Sequence, residues 1–159
     1  MNYKDLIKNG INLAQKGKLT EAENNFKKAI EKDTRLTDSY INLANVYIMQ
    51  KRIEEAINLL KTYLIDISFN QNIINHFWKI SENFNREEKF FETINSYKDS
   101  KNLNKKELAY IYYIHGRHYA KLNDIELSIE YFKKSIFFDQ LFTDSYINLL
   151  DWLERINEI

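Results

Sequence analysis

A seven-residue string, Thr37-Asp38-Ser39-Tyr40-Ile41-Asn42-Leu43, returns unchanged as Thr143 to Leu149, 106 residues further on. A verbatim return of that length restricts the chain to folds that place one local unit more than once. The interval is three periods of about 34 with four residues inserted, and 34 is the period of stacked helical hairpins. Residues one period apart agree: Ala22 with Ala56, and Phe26 with Leu60. Each alanine precedes its larger apolar partner by four positions, so the two stack on one helical face.

The composition points the same way. There is no proline and there are three glycines in 159 residues, so the residues that punctuate turn-rich β folds are scarce and the expected class is all-α. Lys plus Arg and Asp plus Glu both number 23; no net field favours nucleic acid or an anionic membrane. The chain lacks cysteine, which excludes disulfides, thiolate metal sites and a cysteine nucleophile. No apolar run resembles a secretory signal or approaches the roughly 18 residues of a membrane span. The expectation is a soluble, cytoplasmic, monomeric protein.

Placing Ala22 at position 20 of a 34-residue unit divides a single domain into repeats 3–36, 37–70, 71–104 and 109–142, followed by a capping helix at 143–157. Residues 105–108 add about one turn, so the first helix of the fourth unit begins early. Position 15, the turn inside each hairpin, reads Gly17, Lys51, Asn85 and Asn123, three of which tolerate a left-handed backbone. Thr20 with Glu23 fits a capping box at the start of a second helix or one turn inside it. Position 8 of the first unit is Gly10, where two helices approach closely. The third unit is degenerate, with Trp78, Phe90 and Tyr97 where small residues are expected. Either its helices stand further apart, or the register slips by one and Phe91 matches Ala56.

The first unit carries Leu6, Gly10, Leu13, Ala22, Phe26 and Ala29; the second has Tyr40, Leu43, Ala44, Tyr47, Ala56 and Leu60; the fourth has Tyr112, Gly116, Tyr119, Ser128 and Phe132. On these residues the chain resembles the tetratricopeptide-repeat (TPR) family over essentially its whole length, although no unit has the family's proline. The resemblance implies a right-handed superhelix, an α-solenoid of four helical hairpins plus a C-terminal capping helix. It also implies a non-enzymatic scaffold without cofactors, which binds a peptide segment or helix of a partner protein in a concave groove. The first helices line that groove, and the candidate contact residues are Asn42, Asn45, His76, Tyr110, Tyr113, Arg117 and Asn148. Asparagine is plentiful throughout, so the amides serve either recognition or solubility. Of the residues with which some family members grip a terminal carboxylate, only Asn42 is present.

The run Asp38 to Tyr47 is similar to repeat units of O-linked N-acetylglucosamine transferases. A second reading is therefore the repeat portion of, or an accessory to, a glycosyltransferase or sulfotransferase. A third is a self-assembly module using Trp152 and the first hairpin.

Catalytic candidates are few. His115 and His118 could share a metal, but His115 stands where the second unit has Leu43, which makes it a packing residue. No glycine-rich phosphate loop and no nucleophile elbow occur. Glu54, Glu55, Glu87 and Glu88 begin second helices, where negative charge suits the helix dipole. At the C-terminal end Ile147, Leu149, Leu150, Leu153 and Ile156 form an apolar stripe expected to close the last hairpin. Trp152, in the place of Val46 and Ile80, either covers the end of the core or marks a contact.

Overall fold

Four residues with left-handed backbone set the rhythm of the structure, a computed structural model that describes residues 2–157. They are Gly17 (φ 74°), Lys51 (62°), Asn85 (54°) and Asn123 (58°). These are the four position-15 residues, Lys51 included. Each lies in a short turn between two helices, where a left-handed residue reverses the chain after a helix C-terminus.

The elements are α1 (Tyr3–Gln15), α2 (Leu19–Lys32), α3 (Thr37–Met49), α4 (Ile53–Asp66), α5 (Gln71–Asn83), α6 (Glu87–Ser100), α7 (Lys105–Lys121), α8 (Ile125–Phe138) and α9 (Thr143–Asn157). Among the described residues all the elements are α-helices, and four hairpins precede α9. α7 has 17 residues where the other first helices have 13, because it begins at Lys105. Asn104 and Glu107 cap it reciprocally at 2.9 and 3.0 Å. Thr20 and Glu23 form no such box: Lys18 is the cap of α2 and makes no side-chain cap bond. Glu23 instead bonds Lys27 and Arg52, each at 2.7 Å.

The chain divides into two compact units, one ending at Thr93 and one beginning at Ile94, with the boundary inside α6. In the first unit the small residues at close-approach positions are fully buried: Ala22, Ala29, Ala44 and Ala56 are each 0% exposed. A Cβ added to Gly10 would lie 2.7 Å from the Phe26 ring, so the aromatic residue fits only because glycine faces it. Where alanine replaces that glycine, at Ala44, the partner position holds the smaller Leu60. The bulky residues of the third repeat form a ring cluster, with Phe90 4.9 Å from Phe77, 5.0 Å from Trp78 and 5.1 Å from Phe91. Phe90 is 0% exposed while Phe91 is half-buried. The register is thus unslipped, with Phe90 in the place of Ala22 and Ala56.

In the second unit Gly116 meets Phe132 as Gly10 meets Phe26, an added Cβ falling 2.6 Å from the ring. Buried serines replace alanines here and bond the backbone: Ser128 Oγ donates to Gly116 O at 3.1 Å and Ser135 Oγ to Ala109 O at 2.7 Å. In α9 the expected apolar closure is reversed. Ser145 and Trp152 are buried against the unit, whereas Ile147, Leu150 and Leu153 face solvent; the Ile156 side chain lies outside those described. The inward face follows from the shared heptapeptide, since Ser39 is likewise buried in α3. Among the described residues of this unit no helix takes the place of α4 over the outward face.

Candidate functional site

The candidate residues fall into two sets, one in each unit. In the first unit, Asn42 and Asn45 on α3 line a hollow of about 210 Å³ with Ile11, Ala14 and Gln15 of α1, Phe26 of α2, and Val46 and Met49 of α3. Six of these eight are first-helix positions that the repeat pattern assigns to the groove. Phe26 and Val46 form an apolar floor, while amides and the exposed Ile11 and Met49 form the rim. The Asn42 side-chain amide donates to Asp38 O at 2.8 Å within its own helix. Asn45 Oδ1 accepts from His76 Nε2 at 2.8 Å, tying α3 to α5. Burial, then the Lys79 charge, lowers the His76 pKa below the usual imidazole value. A second hollow of about 350 Å³ at the start of α1 and α3 carries charge of both signs, from Lys4, Arg35 and Asp38.

In the second unit Tyr113, Arg117 and Asn148 come together. The Arg117 guanidinium stands 5.7 Å from the Tyr113 ring centre. Burial and the Asp144 carboxylate raise the Tyr113 pKa, while Arg117 and Asn148, which interact with its hydroxyl, act against the rise. Asn148 also donates to Asp144 O at 2.7 Å, as Asn42 does to Asp38. Tyr110 is placed differently. It is 5% exposed, with its ring 6.1 Å from both Tyr113 and Phe142, and it serves packing.

His115 is a core residue. It is 6% exposed, its Nδ1–H donates to Ile111 O at 3.2 Å, and its Nε2 lies 3.1 Å from the Asn95 side-chain amide. Burial lowers its pKa to about 4. Among the described residues no group of three or more His, Asp or Glu is placed to hold a metal ion, and no described helix is long and apolar enough to cross a membrane.

The contact list drawn from the sequence omitted Ile11, Ala14, Gln15 and Met49, although all four hold groove positions. The available signal for Ile11, Ala14 and Met49 was their apolar or small character on a face otherwise rich in amides, to which Gln15 belongs. Phe26 had no such signal, because its ring reaches the hollow only past Gly10.

Helical hairpins repeating at this interval, with small residues at the close approaches of the first and fourth repeats, define a helical-repeat protein. Two tetratricopeptide-repeat profiles match, at residues 13–67 and 109–136, together a little over half of the chain. The chain carries tetratricopeptide repeats. Among solved structures it is similar to PilF of Pseudomonas aeruginosa, with 19% identity and a TM-score of 0.59 over 98% of this chain and 69% of that one. It is also similar to MamA of Desulfovibrio magneticus RS-1, with 12% identity and a TM-score of 0.52 over 98% and 85%. A chain of the Cut9–Hcn1 hetero-tetramer of the APC/C gives 13% identity and 0.54 over 98% and 30%. At these identities the likeness establishes the fold. No curated protein matches the sequence.

Proposed function

We propose that this protein is a non-catalytic interaction module that holds an extended segment or helix of a partner protein against the first helices of its repeats. The observation that carries this reading is the hollow between α1 and α3. An apolar floor under an amide rim suits one apolar side chain of a ligand, with its backbone bonded at the edge. The Asn42 carbonyl oxygen accepts a ligand N–H, and Asn45, with its own oxygen engaged by His76, offers its NH₂ to a ligand carbonyl. In the second unit Tyr113 supplies a large contact area with a polar tip, beside Arg117 and Asn148. The Cut9–Hcn1 assembly is a precedent for a similar fold in a protein complex.

Selection from a random peptide library on the wild type, repeated on Ala14→Phe, tests the reading. Phenylalanine at position 14 fills the hollow from a half-buried position on α1. Peptides with a shared apolar residue, enriched on the wild type and lost on the variant, are the expected result; equal enrichment on both refutes the assignment. The second reading, an accessory or portion of a glycosyl- or sulfotransferase, rests on the run Asp38 to Tyr47 alone. A catalytic domain encoded in the same or an adjoining reading frame would support it.

A further inference from the structure

Two hollows open on the same pair of helices in the first unit. One is the apolar hollow over Phe26. The other, of about 350 Å³, lies at the N-terminal ends of α1 and α3, lined by Lys4 and Ile7, by Arg35 and Leu36 of the intervening turn, and by Asp38. In the second unit rings stand in the corresponding places. Tyr110, Tyr113 and Phe142, each 106 residues after Lys4, Ile7 and Leu36, have their ring centres 5.1 to 6.1 Å apart, and the buried Trp152 stands where the first unit has Val46. Smaller or more flexible side chains at these positions leave the space open on α1 and α3.

We propose that the second hollow holds an acidic side chain of the same ligand, Asp or Glu, four residues from the apolar side chain that enters the first. The inference rests on the peptide-binding reading above and adds the ligand's pattern to it. Charge selects the acid. Lys4 and Arg35 have no ion-pair partner among the described residues, and the one carboxylate of the hollow, Asp38, leaves a single positive charge in excess. The first turn of α3 adds the positive end of its dipole, because Leu36 supplies no side-chain cap. One excess charge matches a carboxylate, whereas a phosphate carries about two negative charges and Asp38 would repel the second. Spacing selects the separation. The hollows are centred about eight residues apart on both helices, which is about 12 Å at the α-helical rise. An extended chain turns alternate side chains to the same wall, so the separation is even; two residues span about 7 Å and four span about 13 Å.

The test is a random peptide library selected on the full chain, with the winners synthesised as C-terminal amides and their affinities read by fluorescence anisotropy. The winners should share an apolar residue and, four positions away on one side, Asp or Glu. Replacing that acid by its amide should weaken binding to the wild type about fivefold. The same replacement should change nothing on the double variant Lys4→Ala/Arg35→Ala, which should itself bind the acidic peptide about fivefold less tightly. Both side chains are exposed, so the variant should melt as the wild type does. Winners that share the apolar residue without an acid at that spacing overturn the proposal and leave the peptide-binding reading standing; winners with no shared apolar residue overturn both. An acid effect that persists on the double variant overturns the proposal as well. So does binding that requires a free C-terminal carboxylate, or a phosphoserine peptide held more tightly than the one with Asp or Glu.

Discussion

Identical residues in the two copies of the heptapeptide do not have identical work. Ser145 Oγ donates to Ser135 Oγ at 2.7 Å, whereas Ser39 Oγ is buried with no hydrogen-bond partner, since the residue ten positions before it is Ala29 in place of a serine. Ser145→Ala should cost about 1 kcal/mol in a urea titration, while Ser39→Ala should be neutral or stabilising. His115 makes a pH prediction. Its imidazole titrates near 6.5 unfolded and at about 4 folded, so the folded chain refuses a proton that the unfolded chain takes. Stability from this source is complete above pH 6.5 and falls as the pH drops towards 4, by about 3 kcal/mol in all. At Glu23 burial opposes ionisation, but hydrogen bonds from Lys27 and Arg52 outweigh it and hold the pKa down. Its stabilisation is present above the ordinary carboxylate range and lost as pH falls through the depressed value. Comparing urea midpoints of the wild type and His115→Leu between pH 7 and 4 isolates the histidine, whose slope the variant should lack.

At the scale of the helix and its turn, Lys51 is the residue out of keeping. Left-handed backbone costs most side chains about 1–2 kcal/mol, and glycine or asparagine much less. Lys51→Asn should therefore raise stability by about 0.5–1 kcal/mol, read as a shift in thermal midpoint. The pairing of Gly10 with Phe26 implies the opposite for Gly10→Ala: an overpacking cost of about 1–3 kcal/mol exceeds the gain in helix propensity of about 1 kcal/mol. Combining it with Phe26→Leu, the pairing found at Ala44 and Leu60, should cost less than the two single changes added. These elements were readable from the sequence because small-to-large spacing and turn residues are local signals. The cap of α2 was misread because Thr20 and Glu23 have the right spacing, and only the structure shows Arg52 taking the carboxylate from a later hairpin. The outward face of α9 was misread because an apolar stripe shows that a helix is amphipathic without showing which neighbour covers it.

For the molecule as a whole, the repeat interval made the class of fold legible, and repeat register placed Asn42, Asn45 and His76 on linked groove positions. Register does not report burial, so Tyr110, one helical turn from Tyr113, could not be distinguished from it until the structure showed Tyr110 buried and Tyr113 half-buried. Nor does it report volume, so the hollow over Phe26 was invisible. The most direct test of the central claim is a map of amide chemical-shift changes on titrating the labelled protein with a library-selected peptide. The account predicts that the largest changes fall on Ile11, Ala14, Asn42, Asn45, Met49 and His76. Changes confined to the outer faces of α2 and α4, with those six residues unmoved, would contradict it.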